Sequence, residues 1–328
     1  MKQIVYHEIG NPAEVLCVEE HASPALQEGE ARVEVLATPI HPSDLLTISG
    51  EYGQLPDLPS TPGSEGTGRV IEIYPGVEQL AKGQIVMLPA TEGTWCQEIV
   101  ASASAFTPLP SGVDIQQLAM LTVNPITAYL LLNKFANLKA GDWLVQSAAN
   151  SAVGTYVNQL ARQRGIRTVN IVRRENVVED VKNAGGEIVL VDGESLAEQV
   201  VKATQNAQIM LAIDAVGGTT FTRMVEMLSS SGVIACYGAL STQLSQLSNA
   251  SIIFRDIRVR GFWLSSWFQS ATMDEKQSAF SAIISAISSG TLKSSIDATF
   301  SLDQISDAVV RAAVPYRSGK VLLLPKPF

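Results

Sequence analysis

Cysteine is scarce and scattered. Cys17, Cys96 and Cys236 are the only three in the chain, and none stands in C-x-x-C spacing with another, which argues against a disulfide framework or a zinc knuckle and fits a reducing compartment. Histidine is as sparse: His7, His21 and His41, set among those cysteines, do not reproduce the ligand pattern of a catalytic zinc site. Basic residues are outnumbered, 23 against 32 acidic, for a net charge of -9, so the clustered Lys and Arg that a nucleic-acid surface needs are missing. No uninterrupted apolar run reaches the roughly 18 residues of a membrane span. The opening "MKQIVYHEIG" runs into strand-like alternation rather than the basic start and apolar core of a signal peptide, and a cytoplasmic location is expected.

What is present describes a protein with a sizeable core. Apolar residues make up 46% of 328, and charged residues only 17%. That length predicts two domains, because single cores usually stop growing near 250 to 300 residues. Up to about Ser111 the chain is written in short apolar runs punctuated by Gly and Pro, such as "ARVEVLATPI", "GTGRVIEIYPGV" and "GQIVMLP", which predicts a β-rich region. From about Asp114 strands and helices alternate. "DWLVQSA" reads as a strand, "ANSAVG" as a turn of small residues, "TYVNQLARQRG" as a helix stopped by glycine, and "TVNIVRR" as the next strand. "QIMLAIDAVGG" and "SGVIACYGAL" are further strands ending in glycine turns. This grammar predicts a doubly wound parallel sheet with its ligand across the C-terminal strand ends. The end of the chain, closing on "GKVLLLP", turns β-rich again and is expected to return to the first domain. The domain reading is therefore 1–113, 114–260 and 261–328, the middle part inserted between two halves.

The turn Ala149–Gly154 sets small residues where the dinucleotide fingerprint G-x-G-x-x-G has glycines, so its backbone can approach a pyrophosphate at a helix N-terminus; a tight turn with no ligand is the alternative. The second strand ends in Arg173 and Arg174 where an NAD enzyme would carry an acidic residue. Two guanidiniums favour a 2'-phosphate, hence NADPH; two solvated arginines are the alternative. Phe262, Trp263, Trp267 and Phe268 form an aromatic cluster that fits either core or pocket. Tyr52 stands between two glycines in "SGEYGQ", on a loop with no other obvious reactive side chain.

With these pieces in order, the sequence resembles the medium-chain dehydrogenase/reductase superfamily over essentially its whole length. Within that superfamily it is most similar to the zinc-free 2-enoyl thioester reductases, which are related to quinone oxidoreductases. The resemblance is carried by "HPSDLLTISGEYGQLPDLPSTPGSEG", "VNPITAYLLL", "SAANSAVG", "NIVRR", "YGAL" and "RGFWLSSW". It implies an α/β protein with a β-rich GroES-like catalytic domain and an inserted Rossmann domain, binding NADPH and no metal. The implied reaction is reduction of an activated C=C bond, with hydride from NADPH and a proton from Tyr52, since a phenol keeps its proton at neutral pH and can deliver it as a general acid. The flanking glycines would let the loop move over substrate. A surface or packing tyrosine is the alternative. The implied cofactor set is Asn124; Asn150, Ser151, Ala152 and Val153 at the turn; Arg173 and Arg174; Tyr237, Gly238, Ala239 and Leu240; Phe262, Trp263 and Leu264; and Lys320, for which a solvated lysine is the alternative. Ala152 stands where the family turn has glycine, Glu175 where arginine is common, and His41 where the family has asparagine. Three functions compete: an enoyl thioester reductase, a quinone or enone reductase on the same fold, and a binding module that holds NADPH without turnover. A homodimer is expected through the strand around Ile257 to Arg260. The expected partners are a small-molecule substrate and a second copy, with neither nucleic acid nor membrane.

Overall fold

A computed structural model describes residues 1–89, 92–241, 243–314 and 317–326. The chain divides into two compact units, Met1–Val123 with Ile284–Phe328, and Asn124–Ile283.

The first unit is organised by one long strand, Glu30–Pro39, buried along almost its whole length. Three strands pair with it antiparallel: Thr67–Ile73, Glu98–Ser102 and the C-terminal Lys320–Leu323. The sheet runs from Ile296–Phe300 through Lys320–Leu323, Glu30–Pro39, Thr67–Ile73 and Ile85–Met87 to Thr107–Pro108. Leu322 and Leu323 pair with Pro39 and Thr38, so the end of the chain does return to the domain that the beginning builds. Close strand packing explains Gly68, where a Cβ would stand 2.3 Å from Val33 Cγ1 and 2.7 Å from the Glu34 carbonyl. Beside this sheet, Lys2–Val5 and Cys17–Glu20 form a separate antiparallel pair.

The second unit holds a six-stranded sheet, parallel throughout. Its strands are Ile188–Val191, Arg167–Val172, Trp143–Gln146, Ile209–Asp214, Val233–Cys236 and Arg258–Gly261, in that spatial order. Numbered along the chain this is 3-2-1-4-5-6, the doubly wound order whose direction reverses between Trp143–Gln146 and Ile209–Asp214. The central strands are buried on both faces, which is why "WLVQ" and "IMLAID" read as near-continuous apolar runs rather than alternating ones. The helix Ala152–Gln163 follows the first strand and packs on the helix Asn124–Lys134.

The division falls after Val123 and Ile283, later in the chain than the change of pattern at 114 and 261. The cause is local packing. The short helix Ile115–Leu118 lies on the strands of the first unit, and its Gln117 exchanges hydrogen bonds with the Ser294 backbone at 3.0 and 2.9 Å. Phe262 meets Phe135 edge to face at 6.1 Å, and Phe268 stacks on Phe280, which ties the aromatic segment to the second unit. No helix among the described residues is long and apolar enough to cross a membrane.

Candidate active site and cofactor cradle

In the first unit, Tyr52 follows the helix Pro42–Ile48. Pro42 suits the first turn because its missing N–H would have had no helical partner. At the other end the Glu51 N–H donates to the Leu46 carbonyl at 2.8 Å and Gly50 N–H to Thr47 at 3.2 Å, the paired bonds of a Schellman cap. Gly50 takes φ +79°, and a Cβ there would stand 2.6 Å from Ile9 Cγ2. Gly50 therefore fixes where the helix ends and the loop departs, which is the reverse of the freedom expected of it. Gly53, with open space around it, is the unconstrained glycine of the pair. Tyr52 itself is half-buried.

The residue that starts this helix, His41, lies in a buried polar chain. The Lys320 ammonium donates to the Ile40 carbonyl at 3.2 Å and to His41 Nδ1 at 3.0 Å. His41 Nε2 then donates to Glu65 Oε1 at 2.6 Å, and Glu65 Oε2 accepts the Thr122 and Val123 N–H groups at 2.6 and 2.9 Å. Donation runs one way, which assigns the His41 proton to Nε2. His41, Glu65 and Lys320 are 2%, 1% and 4% exposed, so Lys320 is not a solvated lysine. Burial lowers Lys320 from 10.5 to about 8, against the opposing pull of Glu65 and Asp44. Burial also raises the Asp44 carboxyl, whose oxygens accept from the His41 N–H at 2.8 Å and Ser64 Oγ at 3.0 Å.

This donor set does not suit a catalytic zinc: both His41 nitrogens are engaged, and a lysine ammonium stands against one of them. Sequence reasoning marked His41 only as standing where related reductases have asparagine, and Lys320 only as a cofactor candidate. The signal it passed over was Glu65, a lone carboxylate among small residues in "PGSEGTG".

In the second unit, the strand ends at the reversal point are stitched together. Ser147 Oγ donates to Asp214 Oδ1 at 2.6 Å and accepts from Ala215 N–H at 2.9 Å, while Asp214 also accepts from Val216 and Gly217 N–H at 3.0 Å each. Gln146 Nε2 reaches Gly154 O, Asn158 Oδ1 and Asn170 Oδ1 at 3.1, 3.0 and 2.7 Å, locking the first strand to the helix and the second strand. The turn above them is tight. Ala148 sits at φ +47°, and a Cβ on Gly154 would lie 2.6 Å from the Ala149 carbonyl. Gly154 is the retained third glycine of the fingerprint, kept for helix-to-strand closeness. Ser151 caps the helix by accepting from Gly154 N–H at 3.1 Å. Helix geometry leaves the N–H groups of Ala152 and Val153 without an intrahelical acceptor, facing the same positive helix end.

Most of the expected cofactor residues gather at this C-terminal edge. Asn150, Ser151, Ala152 and Val153 form the turn; exposed Arg173 and half-buried Arg174 follow the second strand. Tyr237 bonds the Ser151 side chain, and its burial keeps the phenol protonated by raising its pKa. Gly238, Ala239 and Leu240 continue from Tyr237, with the Leu240 N–H bonded to the Ala215 carbonyl at 3.0 Å. Phe262 N–H donates to the Cys236 carbonyl at 2.8 Å, which places Phe262, Trp263 and Leu264 beside the same strand end. The aromatic cluster splits: Trp267 is buried core, Trp263 is 41% exposed. Asn124, first in its helix, has a buried Nδ2 with no protein partner, an amide donor left for a ligand. These features fit a bound dinucleotide. Lys320 alone of the expected set lies in the other unit.

Residues 27–113 match the alcohol dehydrogenase GroES-like domain, and residues 152–285 the zinc-binding dehydrogenase domain. The human mitochondrial enoyl-[acyl-carrier-protein] reductase is 33% identical over 98% of this chain and 88% of its own length. This chain belongs to the medium-chain dehydrogenase/reductase superfamily. Within it, the chain is an enoyl reductase-type member related to quinone oxidoreductases. A protein named as an NADPH:quinone reductase of Bacillus thuringiensis superposes with a TM-score of 0.89 at 29% identity, covering 99% of both chains. The complex of Etr1p with NADP and crotonyl-CoA superposes with a TM-score of 0.89 at 25% identity, over 98% of this chain and 99% of that one.

Proposed function

We propose that this chain is an NADPH-dependent reductase of trans-2-enoyl thioesters, with Tyr52 as the general acid. The observation that carries the reading is Tyr52, held after a capped helix, with both nitrogens of the nearby His41 already engaged by Glu65 and Lys320. Full-length similarity to enoyl reductases, one solved with NADP and crotonyl-CoA, supports it. Bound NADPH would supply the hydride for the β carbon of the substrate, leaving the C=C electron pair on the thioester carbonyl as an enolate. Tyr52 then gives its O–H proton to the α carbon, and the phenolate regains a proton from water. Arg173 and Arg174 would hold the 2'-phosphate, the Ala152 and Val153 N–H groups the pyrophosphate, and Asn124 Nδ2, buried without a protein partner, a polar group of the cofactor.

Similarity over 99% of the chain to a named quinone reductase favours a second reading, reduction of a quinone or enone by the same hydride. Tyr52→Phe separates them. Loss of a general acid should slow crotonyl-CoA reduction by about 10²- to 10⁴-fold, whereas a quinone can take solvent protons and should lose little. NADPH oxidation with quinone but none with crotonyl-CoA would overturn the first reading; binding of NADPH with no turnover of either acceptor would leave a binding module.

The protein is also proposed to be a cytoplasmic homodimer. The edge strand Arg258–Gly261 is exposed throughout and lies near exposed Ile253 and Phe254, a surface that a second copy would cover. Three free thiols, one of them exposed, fit a reducing compartment.

A further inference from the structure

The separate strand pair of the first unit gathers three metal-ligating residue types, folding His7 back onto the segment Cys17 to His21. Cys17 and Glu19 alternate along the second strand and His21 follows its end in the same alternation: the register Val5↔Cys17 and Gln3↔Glu19 is extended by the His21 N–H donating to the Met1 carbonyl at 3.0 Å. Alternation puts the three on one face. His7 follows the first strand and closes over the same face: its Nε2 lies 2.6 Å from Glu19 Oε1, and Nε2 of His21 lies 2.9 Å from Glu19 Oε2. Cys17 Sγ is 3.9 Å from Glu19 Oε1, and the ligand atoms of His7, Cys17 and Glu19 all fall within 4.8 Å of one another. Ligands around a tetrahedral ion with bonds of about 2.0 to 2.3 Å stand roughly 3.3 to 3.8 Å apart, so small rotations bring His7, Cys17 and Glu19 to one ion, while His21, outside that group but 2.9 Å from Glu19 Oε2, swings in to supply the fourth ligand.

We propose that His7, Cys17, Glu19 and His21 form a surface site for a divalent transition metal of the zinc class. A thiolate, a carboxylate and two neutral imidazoles balance a 2+ charge and match Zn²⁺, Co²⁺ or Ni²⁺ rather than the all-oxygen sets that Mg²⁺ and Ca²⁺ prefer. The site is independent of the reductase reading, because none of its residues belongs to the set assigned to cofactor or proton transfer.

The test is titration of the full chain with Co²⁺, whose bond to a thiolate gives a near-ultraviolet charge-transfer band, followed by displacement with Zn²⁺. One equivalent of ion should raise the band and Zn²⁺ should remove it. Cys17→Ser should abolish the band, and His7→Gln and His21→Gln should each weaken Zn²⁺ by at least about 10- to 100-fold, the least that loss of a group supporting a metal costs. All three positions are at the surface, and urea midpoints without metal check that the variants fold. No band in the parent, a band that survives Cys17→Ser and so belongs to Cys96 or Cys236, or Zn²⁺ affinity untouched by both histidine variants would each overturn the site.

Discussion

The Lys320 ammonium stands 3.0 Å from His41 Nδ1, two positive-capable groups side by side in a buried chain that ends on the Glu65 carboxylate. Lys320 is held at about 8 in the folded protein against 10.5 for an ordinary lysine. Between those values the unfolded chain binds more protons than the folded one, so stability rises with pH in that window and is lowest, for this group, below about 8. The full effect is bounded by about 3.5 kcal/mol, the gap between 10.5 and about 8 taken at about 1.4 kcal/mol per pH unit. Urea unfolding at pH 7, 8.5 and 10 should show the parent gaining stability relative to Lys320→Met. Parallel pH profiles for the two proteins would show that Lys320 does not carry the linkage.

Gly154 is a packing constraint with a functional consequence. A methyl group there meets the Ala149 carbonyl at 2.6 Å, a backbone atom that cannot rotate away. Gly154→Ala must push the helix Ala152–Gln163 off the strand, at about 1 to 3 kcal/mol of stability, as overpacked cores commonly lose. The same shift moves the N–H groups of Ala152 and Val153, so NADPH affinity by fluorescence titration should fall together with the thermal midpoint. A stable variant with unchanged affinity would mean that the close approach has no part in cofactor binding.

The two units differ in how much of them could be read from sequence. The parallel sheet was legible because its central strands are continuous apolar runs, and two of them, Ile209–Asp214 and Val233–Cys236, run into glycine turns. The third glycine of the fingerprint, Gly154, survives to mark the cradle. The buried chain of the first unit was not legible. His41 and Glu65 are 24 residues apart and His41 and Lys320 are 279 apart, so only the pairing of Lys320–Leu323 with Glu30–Pro39 makes them neighbours. Gly50 was visible as a glycine beside Tyr52, but a flexible glycine and a helix-capping glycine look alike without the Ile9 side chain behind it. The proposed ligand face was half visible, since Cys17, Glu19 and His21 alternate along the chain; what the sequence does not show is that His7, ten residues before Cys17, folds back to 2.6 Å from Glu19.

Arg173 and Arg174 follow the second strand, where a dinucleotide's adenosine ribose is read. Charge-assisted hydrogen bonds to a phosphate contribute about 1.5 to 3 kcal/mol each, or roughly 10- to 100-fold in affinity. Removing either guanidinium by Arg173→Ala or Arg174→Ala should weaken NADPH by about that factor and leave NADH nearly unchanged, since NADH lacks the 2'-phosphate. Glu175 beside them would repel that phosphate, and Glu175→Gln should tighten NADPH slightly. Equal losses for NADPH and NADH in the arginine variants would assign those side chains to folding rather than to cofactor choice.

The edge strand Arg258–Gly261 ends the parallel sheet, no strand among the described residues pairs its outer flank, and Val259 is 45% exposed there. Phe254, 81% exposed, and Ile253, 68% exposed, precede it in the chain. Monomers seldom leave an open strand edge and large apolar side chains together without covering them, because both favour association. Pairing this strand with its own copy across a two-fold axis would extend the sheet and remove the apolar side chains from water. Light scattering should then give a mass twice that of the 35.1 kDa chain. Val259→Asp opposes the strand with its copy through like charges, and Phe254→Asp removes an apolar anchor; each should shift the population toward monomer at micromolar protein. A parent protein that scatters as a monomer, or a dimer indifferent to both changes, would move the interface elsewhere.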